Sequence, residues 1–83
     1  MTVKSVLPYT SRIIAQVMNK ELDLSDPDVE LRTLRGWDSM KHLQLVLTIE
    51  QESNSLLSPQ EIEGLVALVD VENLARSRNL IKT

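Results

Sequence analysis

Apolar residues recur along most of the chain at the three- and four-residue spacing of amphipathic helices. A first helix is predicted from about Val6 to Glu21, with Ser5 as its N-cap and Pro8 in its first turn. The side chains expected on its buried face are Tyr9, Ile13, Ile14, Val17 and Met18. Two glycines and three prolines leave little room for the tight turns of a β-rich fold. The pattern therefore predicts an all-α protein.

The segment from Leu22 to Trp37 is predicted to be a long connection. It is rich in Asp and Ser, and Pro27 discourages a helix at the residue before it. A loop of this length in so small a domain is more often functional than idle. The side chains expected to anchor it to the core are Leu24, Val29, Leu31 and Leu34, whereas Arg32 and Arg35 are expected to face water.

A second helix is predicted from Ser39 to about Ser53, after the helix-stopping residue Gly36. At about 100° per residue, its apolar side chains fall on two neighbouring arcs. The first arc holds Leu45, Val46 and Ile49, with His42 and Ser53 between them, and the second holds Met40, Leu43 and Leu47, interrupted by Glu50. Together they exceed the third of the circumference that a surface helix usually buries. We therefore expect the second arc to stay partly exposed as a docking surface, the alternative being that it is core.

Two further helices complete the prediction. The run Ser58-Pro59-Gln60-Glu61 has the form of a capping box, and Gly64 limits the helix that follows to a short one. The last helix should start at Leu68 or Asp70, end near Arg78 and bury Val71 and Leu74. The residues from Asn79 to Thr83 are predicted to fray. Residues 1–83 are thus expected to form a single domain, a small antiparallel four-helix bundle with three longer helices and one short helix.

Composition and charge argue against several classes of function. Nine Lys and Arg against twelve Asp and Glu give a net charge of −3, and the basic residues are scattered, so nucleic-acid binding is not expected. The absence of cysteine excludes disulfides and thiolate metal sites, and no metal site is predicted. No apolar run approaches membrane-spanning length, and the first residues do not lead into a signal-peptide core. We expect a cytoplasmic monomer that does not insert into a membrane.

The candidate site is the hydroxyl of Ser39, which follows Asp38 at the entrance of the second helix. An anionic group attached there would gain roughly 0.3–1 kcal/mol from the helix dipole. His42 is expected to point toward the neighbouring apolar arc, and no Gly-x-Ser-x-Gly elbow surrounds the serine. A Ser39/His42 hydrolase is therefore the weaker hypothesis, and no catalytic residue is assigned. Asp38 could cap the helix or orient a partner's metal or basic group, and an Asp-Ser pair is also an ordinary helix cap.

The stretch Gly36-Trp37-Asp38-Ser39-Met40, with the apolar helix through Glu50, resembles the acyl carrier protein family. The match continues through Leu57-Ser58-Pro59 to Leu74 and covers roughly residues 6 to 78. The resemblance implies that a phosphopantetheinyl transferase attaches 4′-phosphopantetheine from coenzyme A to Ser39. The thiol of this arm would carry an acyl or aminoacyl group as a thioester between a loading enzyme and downstream acyltransferases or synthases. The pathway would be fatty-acid, polyketide or other specialised biosynthesis, and the protein itself would not be an enzyme.

The resemblance also implies which residues meet partner enzymes: Trp37, Asp38, Met40, Leu43, Leu47 and Glu50. Three residues depart from fatty-acid-type carriers, which are typically more acidic at the positions of Lys41, His42 and Gln44, so docking to basic synthase surfaces would be weaker. Ser53 stands where a Phe is common, and Trp37 is more similar to specialised stand-alone carriers. The main alternative function is an unmodified helical adaptor that binds a partner through the exposed apolar arc.

Overall fold

A computed structural model describes residues 7–19 and 26–81 of the protein. Its helices are α1 (Pro8–Met18), α2 (Ser39–Ser53), α3 (Pro59–Glu63) and α4 (Leu68–Ser77), with one 3₁₀ turn at Leu31–Thr33. These ranges contain no strand, although Glu30 and Ala67 form an isolated antiparallel bridge. The first helix packs against both α2 and α4. An all-α architecture is therefore confirmed for this part of the chain. None of the helices described there has the length and hydrophobicity needed to span a bilayer.

The first helix is shorter than the predicted range from Val6 to Glu21 at both ends. It begins at Pro8, where the missing N–H costs nothing. Its N-cap is Leu7, whose side chain makes no capping hydrogen bond. The helix ends early because Asn19 adopts the left-handed conformation, with φ of 57°, and turns its N–H back to carbonyls of the last turn. Ser5 and both predicted ends of the helix lie outside the described residues.

The core is aliphatic and forms where α1 meets α2 and α4. The predicted faces of α1 and α2 are confirmed as buried, and Met18 packs against the core while remaining partly exposed. Leu74, which we expected to be buried, is partly buried. The buried apolar residues are Leu7, Tyr9, Ile13, Ile14, Val17, Leu31, Leu45, Val46, Ile49, Leu57, Leu65, Leu68, Val71 and Ala75.

The described part of the long connection is anchored as predicted. Leu31 is buried, and Val29 and Leu34 pack against the core. Arg32 and Arg35 are exposed. The fourth predicted anchor, Leu24, lies outside the described residues. Three of the four predicted anchors therefore hold the connection against the helices.

Backbone hydrogen bonds join this connection to the segment between α3 and α4. The N–H of Leu31 donates to the carbonyl of Val66 at 2.8 Å, and the N–H of Leu68 donates to the carbonyl of Val29 at 2.9 Å. Both pairs lie beside the Glu30–Ala67 bridge. The chain before α2 is thereby held against the chain before α4, which no periodicity of side chains predicts.

The starts of α3 and α4 are set by side-chain caps. Ser58 Oγ accepts the N–H of Glu61 at 3.1 Å, and Glu61 Oε1 accepts the N–H of Ser58 at 2.8 Å, so the predicted capping box is confirmed. The fourth helix starts at Leu68 and not at Asp70. Asp70 lies in its first turn, where Oδ2 accepts the N–H of Ala67 at 2.8 Å. This carboxylate satisfies one of the open donors of the helix.

The chain after α4 turns back and packs against the core through residue 81, whereas the sequence predicts fraying from Asn79. Asn79 has a positive φ of 60° and turns the chain back. The N–H of Leu80 then donates to the carbonyl of Ala75 at 2.9 Å. Leu80 and Ile81 pack against the core. The last two residues lie outside the described part of the chain.

A buried carboxylate ties α1 to α4. Glu72 is 2% exposed, and its Oε1 accepts both the N–H and the hydroxyl of Thr10 at 2.9 Å. Thr10 is itself fully buried. The other oxygen, Oε2, has no hydrogen-bond partner among the described residues. The apolar pattern of α1 missed this contact because neither residue belongs to its hydrophobic face.

Candidate functional site

Asp38 and Ser39 occupy neighbouring positions at the N-terminus of α2 and differ in their contacts. Asp38 is the N-cap, with extended backbone, and its Oδ1 accepts the N–H of Lys41 at 2.9 Å. Ser39 is the first residue of the helix and is exposed. Its hydroxyl makes no hydrogen bond to any described residue. Because Asp38 performs the capping, the Ser39 oxygen is left available to an incoming group.

A tight turn delivers the chain into this cap. Gly36 has a φ of +88°, which side chains other than glycine rarely tolerate. The N–H of Trp37 donates to the carbonyl of Leu34 at 2.9 Å and closes the turn. A Cβ at Gly36 would lie 3.5 Å from the terminal methyl of Met18, so backbone conformation and not space requires the glycine. The residue expected from sequence to stop a helix thus sets the path into α2.

Trp37 and His42 form an aromatic pair beside the serine. Their ring centroids are 6.1 Å apart at an interplanar angle of 89°, the edge-to-face arrangement that aromatic rings favour. Trp37 packs against the core, and His42 is half-buried. No hydrogen bond joins His42 to Ser39 in the described structure. A serine nucleophile requires a base within hydrogen-bond reach, and this geometry supplies none from His42.

The second arc of α2 is exposed, as predicted. Met40, Leu43 and Leu47 are 62%, 51% and 48% exposed. They form a row that starts next to Ser39 and runs about 10 Å along the helix axis. We call these three residues the apolar row. Their exposure is confirmed, while their role in docking stays a prediction.

A shallow surface groove of about 330 Å³ continues the apolar row toward the end of α2. Its most exposed apolar residue is Leu56, at 81%. Sequence reasoning missed Leu56 because a single apolar residue in a loop carries no periodic signal. The groove is lined by Leu47, Glu50, Gln51, Asn54, Ser55 and Leu56.

Glu50, a predicted docking residue, also has a structural contact. Its Oε2 accepts the N–H of Leu57 at 2.8 Å, which holds the loop between α2 and α3 against the helix. Leu57 is buried. Ser53, which replaces a larger core side chain in the resemblance, is half-buried and donates to the carbonyl of Ile49 at 2.8 Å. The end of α2 is therefore closed by polar contacts as well as by apolar packing.

The shifted pKa values belong to ion pairs that do not include Asp38 or Ser39. The hydrogen bond from Arg78 lowers the pKa of Glu61 to about 2, and the N–H of Ser58 acts in the same direction. The hydrogen bond from Arg12 lowers the pKa of Glu52. Burial raises the pKa of Tyr9, as does the hydrogen bond that its hydroxyl donates to Glu52 at 2.8 Å. These groups join helices and loops, and their charges do not activate the serine.

Comparisons with models of protein families, with curated protein sequences and with solved structures return no match. The function is therefore inferred from the residues at the entrance of α2 and from their geometry.

Proposed function

We propose that this protein is an acyl carrier protein that carries 4′-phosphopantetheine on Ser39. The observation that carries the proposal is the exposed hydroxyl of Ser39 in the first turn of α2, which makes no hydrogen bond within residues 7–19 and 26–81 because Asp38 caps the helix. The run Gly36-Trp37-Asp38-Ser39-Met40 and the order of helices after it support the same function. An antiparallel four-helix bundle of the acyl carrier type is the corresponding fold.

The residues at this site suit a covalently attached phosphodiester. Ser39 Oγ forms a bond to the pantetheine-side phosphorus of coenzyme A, the bond from that phosphorus to the bridging oxygen breaks, and adenosine 3′,5′-bisphosphate leaves. The Oγ proton passes to a base of the transferase, because no hydrogen bond joins His42 to the serine. The negative phosphodiester then lies at the start of α2, where the helix dipole contributes roughly 0.3–1 kcal/mol. When bound, phosphopantetheine supplies a terminal thiol that holds an acyl or aminoacyl group as a thioester.

The surface beside Ser39 suits repeated docking. Enzymes that act on the attached group must approach the entrance of α2, where the apolar row is exposed. A tethered cargo has a high local concentration at each enzyme that docks there. The partners are a phosphopantetheinyl transferase, a loading enzyme, and acyltransferases or synthases of a fatty-acid, polyketide or other specialised pathway, with the protein acting as a cytoplasmic monomer.

A second candidate function is an unmodified helical adaptor. The same exposed row of Met40, Leu43 and Leu47 supports it, because apolar side chains on one helix face are a common way to bind a protein partner. An adaptor needs no free hydroxyl on Ser39. Covalent modification therefore separates the two functions.

The test is the intact mass of the protein after incubation with coenzyme A and a broad-specificity phosphopantetheinyl transferase. The native chain should gain the mass of one phosphopantetheine, and Ser39→Ala should gain none. Ser77→Ala is the matched control, because Ser77 is an exposed serine in the last turn of α4 and not in the first turn of a helix. It should be loaded like the native chain. A native chain that stays unmodified while a known carrier is loaded in the same tube would leave the adaptor as the better explanation.

A further inference from the structure

The charge of the protein is distributed unevenly around Ser39. Residues 31–49 contain three basic residues and one acidic residue, a net charge of +2. The other six basic and eleven acidic residues sum to −5. An acidic protein therefore presents a locally basic segment at the site where a group would be attached.

Two of these basic side chains are free to meet a partner. Arg32 is paired with Glu30 at 2.7 Å, but neither Arg35 nor Lys41 forms an ion pair with any residue in the described ranges. Arg35 is exposed in the turn before α2, and Lys41 is half-buried in its first turn. The one acidic residue of this segment, Asp38, has an oxygen engaged by the backbone of the helix. The formal charge of this segment is thus positive, and one oxygen of its single carboxylate already accepts a backbone N–H.

Lys41 lies where a helix gains nothing from a cation. Positive side chains in the first turn are unfavourable with respect to the helix dipole. The first turns of α3 and α4 hold Glu61 and Asp70, whereas that of α2 holds no acidic residue. Stability of α2 therefore does not explain a lysine at this position, which leaves its charge available to a second molecule.

Any enzyme that transfers a group to Ser39 must cover the residues around it. Those residues include the exposed Asp38, the apolar row, and the cations Arg35 in the preceding turn and Lys41 in the first turn of α2. Protein interfaces pair an apolar centre with a polar rim, and complementary charge at the rim selects the partner and speeds the encounter. The complement of this surface is an apolar pocket rimmed by carboxylates.

We propose that the phosphopantetheinyl transferase of this protein docks through such an acidic-rimmed pocket, with Arg35 and Lys41 as the residues that determine its specificity. This inference rests on the proposed function, since it requires Ser39 to be the attachment residue. It deepens that function by stating the charge of the partner's docking surface. The net charge of the protein alone would predict the opposite sign for that surface.

The experiment uses one broad-specificity transferase in two engineered versions that share an active site. One carries added carboxylates on the rim that faces the carrier, and the other carries lysines there. Loading is measured as kcat/KM at low and high salt. The native chain should be loaded roughly tenfold faster by the carboxylate version at low salt, and the difference should shrink at high salt because exposed charges are screened.

Charge-reversal variants assign the effect to its residues. Arg35→Glu and Lys41→Glu should each reduce or reverse the preference for the carboxylate version, mainly through KM. Arg76→Glu changes the net charge equally at an exposed position on α4 and should keep the native preference. Circular dichroism of each variant checks that the helices remain.

Each outcome has a distinct meaning. Loading that is equal for both versions, or faster with the lysine version, would overturn the docking inference and leave the proposed function intact. An equal effect of Arg76→Glu would show that overall charge and not this surface decides the rate, which also overturns it. No loading of any chain by either version, with a known carrier loaded in parallel, would overturn the proposed function and this inference together. Loading could be equal for both versions while the native chain binds phosphatidylserine vesicles and Arg35→Glu does not. That result would overturn the docking inference and assign the cations to a membrane surface instead.

Discussion

Two leucines of α2, two positions apart, test which face of the helix is buried. Leu45 has no exposed surface and lies in the core, whereas Leu47 is 48% exposed in the apolar row. Replacing either with alanine removes the same atoms from the interior of the same helix. The difference in intrinsic helix propensity is therefore shared, and the two variants differ in burial alone.

The expected magnitudes are well separated. Truncation of a fully buried leucine costs roughly 2–5 kcal/mol, because it removes transfer free energy and leaves a cavity. Full burial of a leucine is worth roughly 1.5–3 kcal/mol, so Leu47, about half of which already meets water, has about 1 kcal/mol at stake. A loss of that size lowers the melting temperature of a domain this small by roughly 4–8 °C. The total stability expected for 83 residues is roughly 4–12 kcal/mol, so Leu45→Ala removes a large part of it.

The assay is urea unfolding followed by far-UV circular dichroism and by the fluorescence of Trp37. Trp37 is the single tryptophan and packs against the core, so its emission reports loss of packing next to α2. Leu47→Ala should unfold close to the native midpoint and Leu45→Ala far below it or without a folded baseline. Equal losses in the two variants would refute the assignment of the faces. The apolar row would then be core, and neither docking nor the inferred partner surface could stand on it.

Three further predictions concern contacts at helix ends and between helices. Asp38→Ala should cost roughly 0.5–2 kcal/mol in urea unfolding because α2 loses its N-cap, while Asp38→Asn should cost less. The pair of Glu61 and Arg78 stabilises the fold when Glu61 is ionised, so it contributes fully above pH 4.5 and is lost as the pH falls toward about 2. The free energy of unfolding of Glu61→Gln should fall less over that pH range than that of the native chain. An equal fall in both chains would contradict the assignment. Thr10→Ala should cost roughly 1–3 kcal/mol, because it removes the hydroxyl donor to the buried Glu72 carboxylate and leaves only the N–H of residue 10 as a donor among the described residues; a cost near zero would contradict that role.

The second helix could be predicted from sequence because its signals are local. Gly36 stops the preceding turn, Asp38 supplies a cap, and the apolar spacing continues without Gly or Pro to Ser53. The capping box of Ser58 and Glu61 is equally local, and it too was predicted. Exposure of the apolar row could be predicted from the width of the apolar surface of α2 alone, since a bundle of this size cannot enclose all of that surface.

The rest depends on which distant residues meet. Thr10 and Glu72 are 62 positions apart, and only the packing of α1 on α4 brings these two polar side chains together. The end of α1 was misplaced because Asn19 adopts a left-handed conformation, which an apolar repeat does not register. The contact of Leu80 with Ala75 depends on the positive φ of Asn79. The apolar spacing does not indicate that turn, and fraying was therefore expected. These features are set by backbone reversals and tertiary contacts, and a periodic pattern contains neither.

Two serines at helix starts show why the order of residues at the site matters. Ser58 stands at the N-cap of α3, and its oxygen accepts the N–H of Glu61, so that hydroxyl belongs to the fold. Ser39 stands one position later relative to its helix, behind Asp38, which accepts the corresponding N–H of Lys41. A serine at the N-cap of α2 would be held in the same way as Ser58. Placing the acid first and the serine second keeps the helix capped and leaves the hydroxyl without a hydrogen bond to the described residues, and the proposed attachment of phosphopantetheine to Ser39 needs both conditions.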